Sequence, residues 1–249
     1  NQFEVFIQKI TNGGILVYNE DDAEVKRIAE AATNPIRKLA YTTPKYKVEN
    51  GITLLETPEG NMPIEVFGAH NLNNLAGAKW ICQNMGVDEA DFYEAIASFK
   101  GASKRLEKIA ESKTKVAYKD FAHSPSKVSA TTKAVKEQYP DRTLVACLEL
   151  HTYSSLNAEF LKEYQGALDA ADVAVVFYSP DAVKIKQLDE VSYEQIASSF
   201  NRNDLIIYTN PKDFRDYLFS MNLDNSALLL MSSGNYGGLN FDEVKGLIE

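Results

Sequence analysis

Beyond residue 115 the chain alternates short apolar runs with longer amphipathic ones, and no other feature constrains the fold as strongly. The apolar runs lie near 115–119, 143–148, 173–178, 205–208 and 227–231. Between them, apolar residues recur at helical spacing near 125–139, 155–170, 191–200 and 211–221. Unbroken apolar strands are buried on both faces, and strand–helix alternation implies a mostly parallel sheet. Right-handed crossovers then give an α/β fold with a doubly wound, Rossmann-like sheet. Such sheets hold ligands at the carboxyl ends of their strands. Function is therefore expected in the segments Asp120–Pro125, Glu149–Ser155, Ser179–Asp181 and Ser232–Gly238.

The first block, to about residue 108, is less regular. An apolar stretch from Phe3 to Ile10 precedes a turn at Asn12-Gly13-Gly14 and a short strand, Ile15 to Tyr18. Asn19 through Asp22 read as a helix start, with acidic side chains where the helix dipole favours them. Arg37 to Phe67 is strand-like, with turn residues at Pro44, Asn50-Gly51 and Pro58-Glu59-Gly60. A helical pair follows near 71–84 and 88–99, where Gly86 can end one helix and Asp88 cap the next. Gly101 to Lys115 is polar without an apolar period and reads as a linker. The expected division is 1–108 and 109–249.

The net charge of −9 opposes non-specific nucleic-acid binding and docking on anionic membranes. No apolar run, Ala227 to Met231 included, approaches the length of a membrane span. Cys82 and Cys147 form no CxxC pattern and read as buried thiols, which fits a reducing cytoplasm.

Five clusters carry possible chemistry. Gly68-Ala-His70-Asn71-Leu-Asn-Asn74 opens a helix, where the bland reading of the asparagines is capping. Gly101-Ala-Ser-Lys-Arg105-Leu-Glu107 offers a guanidinium to a phosphate, or is a solvated turn. Asp120-Phe-Ala-His123-Ser-Pro125 places an acid and a histidine at a strand's carboxyl end, beside a cap by Ser124 with Pro125 at the first helical position. The others are Glu149-Leu-His151-Thr-Tyr153-Ser154-Ser155 and Met231-Ser-Ser-Gly-Asn235-Tyr236-Gly-Gly238, whose glycines allow backbone N–H groups to approach an anion. The sequence holds no GxxxxGK[ST] loop, GxGxxG, HExxH or GxSxG, and so no self-contained catalytic centre.

The order and spacing of these clusters resemble the Mur ligases of peptidoglycan metabolism. In that family GxHNxxNxxAA closes the central ATP-binding domain, an Arg-bearing G…RxE turn follows, and D[YF]AHxP opens the carboxy-terminal domain. The opening Gly14-Ile-Leu-Val-Tyr-Asn19-Glu-Asp21-Asp22 is similar to the central domain as well, so the likeness spans nearly the whole chain. Met231 to Gly238 resembles the MSNGGFGG segment of the muropeptide-recycling members, which join UDP-N-acetylmuramate to L-alanyl-γ-D-glutamyl-meso-diaminopimelate. Glu149 to Ser154 is instead closer to PHRYTR of the members that add L-alanine.

The resemblance implies a partial central ATP-binding domain at 1–108 and a Rossmann-like carboxy-terminal domain at 109–249. It implies an ATP-dependent ligase acting through an acyl phosphate, with recycling favoured over L-alanine addition. A non-catalytic nucleotide- or peptide-binding module on the same scaffold is the alternative. His70, Asn71 and Asn74 would line the adenine side, and Asp120 the ribose. Arg105 would face the phosphates, and His123 would sit where the carboxy-terminal domain closes on the nucleotide. His151, Ser154, Asn235 and Tyr236 would line the peptide pocket. The implied ligands are ATP, Mg²⁺, UDP-N-acetylmuramate and an amino acid or small peptide, in the cytoplasm. The family's phosphate loop and Mg²⁺ ligands would lie upstream of Asn1, so these 249 residues are expected to be a fragment, inactive alone.

Overall fold

The computed structural model describes residues 2–188 and 191–249. It separates into two compact units, residues 1–100 and 101–249.

In the first unit the opening apolar stretch is a helix, α1 (Gln2–Gln8), followed by β1 (Ile15–Asn19), α2 (Ala23–Ala31) and β2 (Arg37–Tyr41). Asp22 caps α2, its carboxylate accepting from Glu24 N and Val25 N at 3.0 Å each. β1 and β2 pair in parallel. A three-stranded antiparallel sheet follows, with β3 (Tyr46–Glu49), β4 (Ile52–Thr57) and β5 (Gly60–Ile64) in that order. Then come α3 (Ala69–Asn84) and α4 (Glu89–Ala97), the latter capped by Asp88. Leu72 and Leu75 of α3 and Phe92 of α4 pack on Leu55 and Ile64 of this sheet.

The second unit is the alternating block. Its elements are β6 (Glu107–Glu111), β7 (Lys115–Asp120), α5 (Pro125–Gln138), β8 (Thr143–Glu149), α6 (Ala158–Leu161), β9 (Val173–Phe177), α7 (Pro180–Ile185), α8 (Tyr193–Phe200), β10 (Ile206–Tyr208), α9 (Pro211–Ser220), β11 (Ser226–Met231) and α10 (Phe241–Ile248). They form one sheet in the order β10-β9-β8-β11-β7-β6, parallel except for β6. The last strand returns to lie between the first two parallel ones. Its Leu228 sits opposite Ala117 on one side and Val145 on the other. α9 and α10 close over the face formed by Ala117, Val145, Cys147, Val175, Leu228 and Leu230. α5 packs on β8 and β11 and contributes nothing to that cluster, so it covers the opposite face. β11 and all but the first residue of β8 are buried, which is why they read as continuous apolar runs.

Three expectations change. The supposed linker contains β6, an edge strand antiparallel to β7, and a boundary at 108 would cut it. It was hidden because only Ala110 of its residues is buried. The helix expected over 155–170 is only α6 and a 3₁₀ turn at Lys162–Tyr164. Gly166 then takes φ +73, which no continuing helix allows. Ser124 stands at the N-cap of α5, but its side chain makes no capping bond. Cys147 is a buried core thiol whose pKa burial pushes up to about 12, whereas Cys82 is half-buried.

Asp172 ties α5 to β8, accepting from Lys136 Nζ at 2.8 Å and from Leu144 N at 2.7 Å. Desolvation acts to raise its pKa, but these donors outweigh it and hold the carboxyl below its ordinary value. A lowered folded-state pKa adds stability that is present above the unfolded-state value and is lost as pH falls through the folded one. The carboxylate is partly exposed, so solvent screening limits its contribution to about 1 kcal/mol. Asp172→Asn should therefore lower unfolding stability by about 1 kcal/mol at pH 7. The difference should shrink below pH ~4. Chemical denaturation at both pH values checks this.

Candidate functional site

Strand register decides which side chains meet at the carboxyl edge of the second unit's sheet. Met231 lies opposite Asp120 on β7 and opposite Leu148 on β8. Asp120, Ser232 and Glu149 therefore emerge at nearly one level from three adjacent strands, and Ser232 N donates to Asp120 O at 2.9 Å.

One corner forms around Asp120. Its buried carboxylate accepts from Leu106 N and Ala122 N, each at 2.6 Å. Phe121 N donates to Lys104 O at 2.9 Å. These bonds strap the 101–107 turn onto the end of β7. Lys104 and Leu106 both take positive φ, 58° and 45°, so the turn is strained on either side of Arg105. Glu107 holds it closed. Its Oε2 accepts from Lys104 N at 2.8 Å and Ser103 Oγ at 3.2 Å, and its Oε1 lies 2.9 Å from Lys119 Nζ. The Lys104 N–H bond is the main reason its carboxyl is held below the ordinary value. The Glu of the G…RxE pattern is thus a clamp that presents Arg105.

Arg105 is exposed, and its guanidinium lies 5.8 Å from the centre of the Phe121 ring. Among the described residues no acid pairs with it. His123 meets the edge of the same ring, centroid to centroid at 5.2 Å. Its Nδ1 is 2.8 Å from Phe121 O. A carbonyl only accepts, so Nδ1 carries the proton in this contact. Tyr164 Oη donates to His123 O. Arg105, Asp120 and His123 therefore come together, as the sequence spacing requires.

A second corner forms where β8 and β11 end. Glu149 accepts on Oε2 from Ser232 Oγ and from Tyr236 N at 2.8 Å. Gly234 N donates to Ser232 Oγ at 2.6 Å. His151 Nδ1 stands 3.7 Å from Glu149 Oε1. A Cβ on Gly234 would come within 2.8 Å of Glu149 Oε2 and 3.0 Å of His151 Cγ, so only glycine allows this approach. Glu149 and Ser232 lie inside segments expected to carry function but were given no role there, because a Glu ending an apolar run reads as a strand terminus.

The remaining sequence candidates divide. Asn235 is exposed beside this corner, and Ser154 is exposed with Oγ 3.2 Å from Thr152 Oγ1. Tyr236 does not line a pocket. It is 1% exposed, stacks on Phe214 at 5.0 Å, and its hydroxyl donates to Cys147 O and Met231 O. Burial, first of all, raises its pKa well above the ordinary value. The glycines after it do not cradle an anion. Gly237 takes φ +70 with Pro211 where a Cβ would lie, and Gly238 N and Leu239 N both donate to Asn235 O.

In the first unit, Asn71 Nδ2 donates to Phe67 O at 2.9 Å, which fastens the start of α3. His70 is half-buried and Asn74 exposed. Asn73, not singled out by spacing, joins Asn19, Asp21 and Thr43 through its Nδ2 and so locks α3 to the ends of β1 and β2. A cleft of about 280 Å³ opens beside it, lined by Glu20, Tyr41, Lys79, Trp80 and Tyr93 among others, but by none of His70, Asn71 or Asn74.

An exposed guanidinium near a strand-end carboxylate can offer donors to an anion and acceptors to hydroxyls. Among the described residues no group of three or more His, Cys, Asp or Glu is placed to hold a metal ion. Nor is any described helix long and apolar enough to cross a membrane.

No protein-family model matches the chain. Curated relatives do. The chain is 26% identical over 256 residues to the UDP-N-acetylmuramate–L-alanine ligase of Sulfurihydrogenibium sp., covering 99% of this chain and 56% of that protein. It is 30% identical over 188 residues to the enzyme of the same name from Caldicellulosiruptor bescii, covering 71% and 41%. Among solved structures, the UDP-N-acetylmuramate–alanine ligase of Thermotoga maritima matches with a TM-score of 0.67 at 15% identity, over 93% of this chain and 50% of that one. The murein peptide ligase of Psychrobacter arcticus matches at 0.62 and 17%, over 99% and 54%. The chain is homologous to the Mur ligases and spans about half the length of the curated relatives it matches.

Proposed function

We propose that this chain is the nucleotide-closing and amine-receiving part of an ATP-dependent ligase that joins UDP-N-acetylmuramate to an amine substrate. The observation that carries this reading is the Arg105 turn strapped to Asp120 at the end of β7. When bound, ATP supplies the phosphoryl group that activates the muramate carboxylate as an acyl phosphate. A phosphoryl group and a carboxylate repel as they approach, so a fixed cation is required. Arg105 meets that need with a planar fork of donors, held outward by a clamped turn. Asp120 keeps unused lone pairs for ribose hydroxyls, because each oxygen accepts only one backbone N–H. His123 stands against the same Phe121 ring as Arg105.

The relatives support L-alanine as the amine substrate, rather than the recycling tripeptide first suggested by residues 231–238. One observation keeps the tripeptide as a second reading. The two arginines of the PHRYTR segment stand here as Thr152 and Ser155, which bond to each other with Thr152 Oγ1 3.0 Å from Ser155 Oγ. A loop without those cations is poorly suited to grip a small amino acid's carboxylate.

The protein encoded by the reading frame that contains these residues should release phosphate from ATP only with UDP-N-acetylmuramate and an amine both present. L-Alanine and L-alanyl-γ-D-glutamyl-meso-diaminopimelate, assayed in parallel, identify the amine, with L-alanine expected. Turnover with the tripeptide alone would install the second reading, and turnover with neither overturns the ligase reading. In the same assay Arg105→Ala should lower kcat/KM for ATP by about 100-fold. Its melting temperature should not move, because Arg105 is exposed.

A further inference from the structure

Tyr164 is fully buried, and its hydroxyl donates to a backbone atom 41 positions away, the carbonyl oxygen of His123. The helix expected over 155–170 ends early to allow this. α6 passes into the 3₁₀ turn Lys162–Tyr164, Gln165 leaves it at φ −52 and ψ 122, and Gly166 redirects the chain at φ +73. Tyr164 thus closes the turn, with its ring held on two sides. It stacks on Phe200 of α8, centroids 5.2 Å apart, and meets Phe160 edge-on at 6.2 Å. A buried hydroxyl needs a partner, and this one finds it in the β7 corner. Burial raises the phenol's pKa above its ordinary value, so the group stays a protonated donor at neutral pH. The loop that receives this bond has few other fasteners. It is tied at its start, where Ala122 N donates to Asp120 Oδ1 at 2.6 Å. At its exit the Ser124 side chain makes no capping bond on α5. His123 lies between these points. Its ring rests on Phe121, through Nδ1 to Phe121 O at 2.8 Å and through the edge contact with the Phe121 ring. Both contacts are to a residue two positions back, so both depend on the angle at which the His123 peptide is held.

We infer that Tyr164 is the positioning residue for His123: its hydroxyl fixes the peptide at 123 and so keeps the imidazole in one orientation and one tautomer against the Phe121 ring that Arg105 shares. The inference rests on the ligase reading for its use, and it adds a residue from the segment after β8 to the machinery of the β7 corner. Tyr164 acts through the backbone it holds. Which imidazole nitrogen carries the proton is set by the hydrogen bond that the ring makes, and that bond lasts only while the supporting backbone stays in place. Without the hydroxyl the His123 carbonyl is released, and the contact between Nδ1 and Phe121 O loses its support.

The test reads the histidine rings of the ¹⁵N-labelled 249-residue chain by long-range ¹H–¹⁵N spectra at about pH 8, where an ordinary imidazole is neutral. Wild-type His123 should be a single species protonated on Nδ1. Tyr164→Phe keeps the ring against Phe200 and removes only the hydroxyl, and His123 should then report a mixture of tautomers. Asp172→Asn lowers the stability of the same unit from a distant bond, and it should leave the His123 ring as in the wild type. A ring unchanged in Tyr164→Phe overturns the inference. So does a ring changed equally in Asp172→Asn, since tautomer would then follow stability and not the hydroxyl. A wild-type ring protonated on Nε2 overturns it as well, and that result needs no variant to fold. In the ligase assay on the whole protein, Tyr164→Phe should lower kcat/KM for ATP about tenfold, the equivalent of one hydrogen bond. Unchanged turnover would remove Tyr164 from the reaction. The spectra need no ATP, so an inactive wild-type protein would count against the ligase reading while the tautomer result still decides what Tyr164 does to His123.

Discussion

Everything at the carboxyl edge of the second unit follows from where β11 sits. It is the last strand in sequence, yet it lies between β7 and β8, the first two parallel ones. Its register is pinned on both sides, with Met231 opposite Asp120 and Leu148. A slip of one residue would exchange the side chains on its two buried faces and is opposed by the helices packed there. The three loops that leave the strands at Asp120, Glu149 and Ser232 are therefore brought to one level. Register, more than any loop's own composition, puts Ser232 on Glu149 and the Arg105 turn on Asp120.

Two buried carboxylates organise that edge in different ways. Asp120 spends both oxygens on backbone N–H groups and so fixes the shapes of two chain segments, the 101–107 turn and its own exit loop. Glu149 spends one oxygen on the β11 loop and faces its other toward His151. Bonds from backbone donors to a charged acceptor are strong and short, which suits holding a turn such as that at Arg105, where two non-glycine residues take positive φ. The strain at Lys104 and Leu106 is tolerated because Asp120 and Glu107 each accept a backbone N–H there.

Much of this was legible in the sequence, and the failures have physical causes. The parallel sheet could be read because strands buried on both faces leave continuous apolar runs, as Ala227 to Met231 does. β6 could not, since an edge strand half open to water needs few apolar residues. The Asp120–His123 and Arg105 clusters were found because chemistry-bearing residues at strand ends are unusual. Tyr236 was misplaced for the opposite reason. An aromatic among glycines looks like a presented side chain, but here the loop turns back at φ 53° and buries the ring against Phe214. Glu149 stayed hidden because nothing local distinguishes it, and its significance arises from Ser232, 83 positions away.

A division of charge along one sheet edge also has a chemical logic. A ligase that activates a carboxylate and then offers it to an amine must manage two opposite electrostatic problems. The phosphoryl transfer needs cations, and the amine substrate arrives as a cation that those same groups would repel. On the proposed ligase reading, Arg105 on the β7 corner and Glu149 on the β8–β11 corner keep the two demands apart by the width of one strand. At an effective dielectric near 20, typical of a protein surface, opposite charges a few ångströms apart still interact by roughly 4 kcal/mol. The carboxylates at the Arg105 turn, Asp120 and Glu107, are engaged by backbone N–H groups, and Glu149 lies on another strand. The doubly wound sheet supplies that spacing without further construction, because its strand ends project in parallel.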